Sequence, residues 1–242
     1  MAIVQVVILA AGMGTRLGRP APKPLTPLDD GRTIIAQQLG NIRDVFGDDA
    51  RPVIVVGFKH DMIMEAVPDA LFAYNENYDQ TNTSKSLLKA LQNSVDGPVI
   101  WMNGDVVFDP EVLRRLQPFL TDGRSAIAVN TAATAEEEVK YTVNEQGAVR
   151  ELSKQVQNAL GEAVGINLVA AKDKPALVAR LAECDEQDYF ERGIELAIEK
   201  DGVEVTPVDI SDLFAVEVDF AEDLERAIEA RQEYRRTHPT QD

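Results

Sequence analysis

The sequence is poor in the residues from which several kinds of protein are built. Of its 242 residues one is a cysteine, Cys184. No internal disulfide and no cysteine-based zinc site can therefore form, and a reducing compartment is the natural setting. Two histidines, His60 and His238, stand at a helix start and in the tail, and neither is placed like a catalytic imidazole. Basic residues are few, 24 against 41 acidic ones, for a formal charge of −17. That balance argues against nucleic acid as a partner, because phosphates would be repelled along most of the surface. No segment offers eighteen uninterrupted apolar residues, and no basic start leads into an apolar leader with a cleavage site. Membrane insertion is thus not expected, and a cytoplasmic location is. Fixed-period repeats, low-complexity tracts and glycine- or serine-rich linkers are missing too.

What is present is a strand and helix rhythm. The apolar fraction, 45%, suffices for a packed core. QVVILA, PVIVVGF, LFAYN and PVIWMN read as buried strands. TIIAQQLGNIRDVF, HDMIMEAV, SKSLLKALQN and PEVLRRLQPFL read as helices, with Ile35, Leu39, Ile42 and Phe46 on one face of the first and Pro110 in the first turn of the last. This alternation predicts a mostly parallel sheet covered by helices. From 124 to 170 the pattern changes to short strand-like pieces, SAIAVN, KYTVN, AVRELS and AVGINLVA, which predict a small antiparallel or mixed region. Helices return with KPALVARLAEC and DYFERGIELAIEKDG, followed by strands VEVTPV and LFAVEV and a last helix, FAEDLERAIEARQEYRR, with acids early and arginines late. A single domain over 1–236 is expected. Its first half is 1–123, its second 124–219 and its closing helix 220–236, with a short frayed tail at 237–242.

The first strand opens into VVILAAGMGTRLGRPAPKPL. Its glycines fit neither the dinucleotide fingerprint, which would want glycine at Leu17, nor the Walker A ending. Small residues Ala10, Ala11, Gly12 and Gly14 still let successive backbone N–H groups approach a phosphate with no Cβ in the way. Arg16 adds a fork of donors, and Lys23 adds a compact charge whose backbone is restricted by Pro22 and Pro24.

The compound motif L-A-A-G-x-G-T-R-L followed by P-K-P-L resembles the signature loop of the nucleotidyltransferases, which couple a nucleoside triphosphate to a phosphorylated small molecule. NENYDQTNTSKSLLKAL, WMNGDVVFDPEVL, GEAVGINLVA and FAVEVDFAEDLERA resemble the CTP:phosphocholine and phosphonate cytidylyltransferase branch, so the likeness runs over nearly the whole chain. It implies an α/β fold, a Rossmann-like three-layer α/β/α sandwich of the nucleotide-diphospho-sugar transferase type, with a mostly parallel mixed sheet and a small antiparallel acceptor-side region. It also implies CMP transfer from CTP to a small phosphate or phosphonate acceptor with release of pyrophosphate. A sugar-1-phosphate nucleotidyltransferase using another triphosphate and a nucleotide-sensing module without turnover are the alternatives. A homodimer stays open as an assembly.

Such a reaction needs positioning and charge neutralisation more than proton transfer, since the acceptor is already ionised. Magnesium suits it, and Asp105 and Asp219, each at the end of a strand-like run, form the expected carboxylate pair. Each aspartate also reads as a cap, Asp105 of a turn and Asp219 of the last helix. Glu217 shares the face of Asp219 by strand alternation. Arg16 and Lys23 are the expected catalytic cations. Leu9, Ala10, Ala11, Gly12, Gly14 and Thr15 are expected around the nucleotide, with Thr83, Ser84 and Ser86 near its base. The same hydroxyls are equally ordinary N-caps. Lys140, Tyr78, Asn82, Tyr189 and Glu217 are the expected acceptor side. Lys154 is weighed beside Lys140, and a solvated charge is the default for either lysine.

Overall fold

The computed structural model describes residues 4–14, 17–18, 20–132, 134 and 137–237. Thr15, Arg16 and the end of the tail, 238–242, lie outside the described residues. Eleven strands and seven α-helices are present among the described ones. Seven strands form one path, β10 (Val205–Asp209), β6 (Ser125–Asn130), β9 (Gly161–Val169), β4 (Val99–Asn103), β1 (Val4–Ala10), β2 (Ala50–Val56) and β3 (Leu71–Tyr74). β1, β2, β3 and β4 are parallel. β9 runs antiparallel to both β4 and β6, and β6 pairs with β10 in parallel. β7 (Lys140–Val143) joins β9 and pairs with β8 (Val149–Ser153) in a hairpin, which extends the antiparallel pairing begun by β9. The fold is thus the α/β sandwich with a mostly parallel mixed sheet that the sequence leads one to expect.

β1 lies between two parallel neighbours with helices over both faces, and this explains why it is an unbroken apolar run rather than an alternating one. Its residues divide by period two. Val6 and Ile8 pack with Ile35 and Ile42 of α1 (Ile34–Phe46) and with Leu113 and Leu116 of α4 (Glu111–Asp122). Val7 and Leu9 pack with Leu87 and Leu91 of α3 (Thr83–Gln92), Leu177 and Leu181 of α5 (Lys174–Glu183) and Ile194 of α6 (Phe190–Asp201). A T-shaped contact between Trp101 of β4 and Phe190, with ring centroids 5.7 Å apart, seats the start of α6 against the sheet. Pro110 precedes the first helical residue of α4 instead of lying inside it. His60, which begins α2 (His60–Ala66), packs its ring on Tyr74 of β3 with centroids 5.1 Å apart.

Two features that periodicity does not predict place the acids. Residues Val106–Phe108 form a three-residue strand, β5, antiparallel to β11 (Ala215–Glu217), with Glu217 opposite Val106. The ribbon continues as Val218 N–H donates to the Asp105 carbonyl at 3.0 Å. Buried amides of α1 hold the turn leading into β5. Gln38 Nε2 donates to the carbonyls of Asn103 and Val106, both at 2.8 Å, and Gln37 Nε2 to that of Phe108 at 2.7 Å. Gly104 is required in this turn, because a Cβ there would lie 2.6 Å from the Leu9 carbonyl oxygen. The chain ends in α7 (Ala221–Thr237), whose buried Arg231 donates to Asp29 and Asp30 in the loop between Lys23 and α1. Among the described residues no helix is long and apolar enough to cross a membrane.

Candidate active site

The C-terminal ends of β1 and β4 open into a cleft of about 490 Å³. This is where an open α/β sheet presents ligand sites, since the loops there diverge to either side. Leu9, Ala10, Gly12 and Gly14 line one part of it, and Lys23, Asp105, Glu217 and Asp219 lie beneath them. Lys23 begins a short 3-10 turn, Lys23–Leu25, which is fixed by backbone bonds from Leu25 to Pro22 and from Thr26 to Lys23. Its Nζ donates to Asp105 Oδ2 at 2.8 Å and to Asp219 Oδ1 at 2.5 Å. Residues 82 and 196 positions downstream of Lys23 thus meet at one ammonium.

The electrostatics follow from crowding. Burial by itself would lower the Lys23 pKa, but the Asp105 charge and the hydrogen bonds to both carboxylates outweigh it and raise the value above the ordinary one. Glu217 carries the opposite burden. The Asp105 charge first, then burial, then Glu138 and Asp219 push its carboxyl well above the usual range, against the pull of Lys23. Asp105, Glu217 and Asp219 each offer an oxygen within 4.8 Å of the others. Asp105 Oδ1 is buried and accepts no hydrogen bond. A buried acceptor without a donor, beside two more carboxylates facing the cleft, fits a hard divalent ion. Asp219 is itself held in place. Asp223 Oδ2 accepts from the backbone N–H groups of Asp219 at 3.0 Å and Phe220 at 2.7 Å, while Asp223 Oδ1 accepts from Arg226.

The remaining expected residues separate into those on the cleft wall and those beside it. Asn82, Thr83 and Tyr189 line the cleft. Asn82 caps α3 by accepting from Thr83 N–H, and Thr83 Oγ1 accepts from Phe190 N–H, tying α3 to α6. Ser84 and Ser86 are buried behind this wall, Ser86 receiving a bond from Asn75 and Ser84 Oγ having no partner. Ala11 is buried and its carbonyl accepts from Phe58 N–H. Tyr78 packs over Gly57 at the back of the loop, away from the cleft lining. Lys140 is directed to the Lys154 carbonyl at 3.3 Å, and Lys154 rather than Lys140 reaches the wall.

Several wall residues carry little signal in the sequence. Glu137, Glu138 and Glu191 bring carboxyl groups to the wall built by the second half of the chain, and Lys154 lies over the Tyr189 ring with its Nζ 5.3 Å from the centroid. Glu191 is only 7% exposed, and its Oε2 has no hydrogen-bond partner. In sequence it reads as a solvated acid in a first helical turn, where the helix dipole welcomes it. Burial, the leading cause, pushes its carboxyl up to about 7, and its own backbone N–H and Lys154 oppose the shift. The unfolded chain ionises this group near 4.5 and the folded chain only near 7, so stability is full below 4.5, falls as pH rises through that window and is level above it. Glu191→Gln is therefore expected to gain about 3 kcal/mol relative to the parent on going from pH 4.5 to pH 8. Denaturant titrations at both pH values measure this. Parallel profiles for the two proteins would show that Glu191 is not the group responsible.

One curated relative is the CMP-5'-(3-aminopropyl)phosphonate synthase of Streptomyces rubellomurinus, 38% identical over 122 residues, which is 47% of this chain. The match spans only 19% of that protein's length. Among solved structures, the inositol-1-phosphate CTP transferase of T. maritima superimposes with a TM-score of 0.79 at 16% identity, covering 100% of this chain and 99% of that one. The CTP:phosphocholine cytidylyltransferase of Streptococcus pneumoniae gives 0.71 at 19% identity, covering 93% and 98%. At such identities the two structures speak for the fold. The sequence profile of one family extends over residues 6–176, which hold the glycine loop, Lys23, Asp105 and most of the sheet, and by that match the chain belongs to the family of the MobA-like NTP transferase domain, a nucleotidyltransferase family.

Proposed function

We propose that this chain is a magnesium-dependent cytidylyltransferase that moves CMP from CTP onto a small phosphate or phosphonate acceptor. The observation that carries the reading is the meeting of Lys23, Asp105, Glu217 and Asp219 beneath the Ala10–Gly14 loop in a single cleft. An acceptor oxygen attacks the α-phosphorus, the bond to the bridging oxygen breaks, and pyrophosphate leaves with the electron pair. Asp105, Glu217 and Asp219 would hold the ion, which neutralises phosphate charge and brings the reacting oxygens into line when bound. Lys23, with Arg16 from the same loop, stabilises the charge that develops on the departing pyrophosphate. Backbone N–H groups at Gly12 and Gly14 receive the phosphates, and Thr83 lies within reach of the base. No side chain has to remove a proton.

The acceptor half favours a substrate with a cationic tail. Glu137 and Glu138 supply negative charge there, and the Tyr189 ring already carries one ammonium, that of Lys154, over its face. An aminoalkylphosphonate or a phosphorylated amino alcohol satisfies both ends of the cleft. The deciding experiment is a pyrophosphate-release assay of the four triphosphates against phosphocholine, aminoalkylphosphonates, inositol phosphate and sugar 1-phosphates. CTP with an amine-bearing acceptor is the expected productive pair. Turnover confined to a sugar 1-phosphate with another triphosphate would replace this reading, and binding of a triphosphate without turnover on any acceptor would point to a sensing module.

A further inference from the structure

Lys23 and a divalent ion have claims on the same pair of carboxylates. The ammonium is bonded to Asp105 Oδ2 and Asp219 Oδ1, with its side chain only 10% exposed, and those two carboxylates with Glu217 are the group that fits an ion. Magnesium takes carboxylate oxygens at about 2.0–2.1 Å. A second positive centre hydrogen-bonded to the same carboxylates is strongly repelled by an ion at that range. The lysine is built to yield. Its backbone is pinned by the Lys23–Leu25 turn and the flanking prolines, while its long side chain lies along an open cleft lined by Gly12 and Gly14.

We propose that Lys23 is an exchangeable counter-ion, which passes from the carboxylates to the triphosphate as a divalent ion takes its place, so that ion and nucleotide bind synergistically. This rests on the metal-dependent reading proposed above. An ion arriving alone must break two charge-assisted hydrogen bonds and leave a largely buried ammonium without a partner. An ion arriving with a triphosphate brings the new partner with it. Since linkage is reciprocal, the nucleotide strengthens ion binding by the same factor as the ion strengthens nucleotide binding.

The test uses Mn2+ as the probe, with free ion read by electron paramagnetic resonance, on the full chain and on Lys23→Gln. Each protein is measured with and without a CTP analogue carrying a methylene between the α and β phosphorus atoms. Without nucleotide, Lys23→Gln is expected to bind Mn2+ about tenfold or more tighter than the parent, within the usual range of coupling. The analogue itself chelates the ion, so synergy is taken as the difference between the two proteins, and the parent should show the larger gain. Equal Mn2+ affinities, or equal gains, would overturn the exchange while leaving the metal assignment intact. An absence of Mn2+ binding that Asp105→Asn can weaken, in either protein, would remove the metal assignment and the exchange together. Should Lys23→Gln not fold, the Lys23 ammonium in the 15N-lysine-labelled parent decides the matter. Its resonance is expected to move when Mg2+ and analogue are both present, and an unmoved resonance in that complex would sink the proposal.

Discussion

Lys23→Ala is expected to lower pyrophosphate release by about a hundredfold or more, with the loss in kcat rather than in KM for the triphosphate. The reason lies in what surrounds the ammonium. It is the described cation bonded to both Asp105 and Asp219, and the Gly12 and Gly14 loop lies over it. Charge shifts from the α-phosphate toward pyrophosphate as the bond breaks, so a cation beside the departing oxygens lowers the transition state more than the bound substrate. Removal also leaves Asp105, Glu217 and Asp219 facing one another without a resident positive charge. The thermal midpoint of the variant should fall in chelator and recover in Mg2+, which separates lost catalysis from lost folding. Steady-state kinetics at saturating Mg2+ make the measurement. Turnover near that of the parent would take Lys23 out of the chemistry.

The second large effect is expected from Asp105→Asn, with turnover falling by about 10²–10³-fold. The amide keeps the shape of the side chain but gives up one anionic ligand oxygen. The carbonyl of residue 105 still receives the Val218 N–H, so the β5–β11 ribbon is retained. Divalent affinity should weaken in parallel with rate, and raising Mg2+ should recover part of the activity. A second signature tells this apart from general damage. The Asp105 charge is the leading cause of the raised Glu217 pKa, so Glu217 should ionise at lower pH in the variant. A carboxyl titration by 13C resonance reads this directly, and an unchanged Glu217 together with unchanged Mg2+ dependence would show that Asp105 does not belong to the ion site.

How much of this was legible in the chain depended on distance along it. β1 with its glycine loop showed locally, because a doubly buried parallel strand must be an apolar run and the turn after it must be small. The common face of Glu217 and Asp219 also followed from strand alternation, and both offer oxygens to the same group. β5 did not show. Three residues, VVF, carry too little pattern, and their strand exists because β11 arrives from about a hundred residues away and α1 amides fix the turn between. Glu191 escaped for a similar reason. Its burial comes from α6 docking through Phe190 onto Trp101, a contact between distant segments. Lys140 and Lys154 are indistinguishable as isolated lysines. The β7–β8 hairpin places one behind the wall and one in it.

The run of glutamates along the acceptor wall carries one more implication. On the reading proposed above a triphosphate is the most highly charged anion present, and Glu137 and Glu138 repel it in proportion to that charge. A zwitterion meets the same field with its ammonium leading and suffers little. On that reading the two ends of the cleft would sort their ligands by valence before any shape is tested, and a second molecule of the donor is expected to be turned away from the place of its co-substrate.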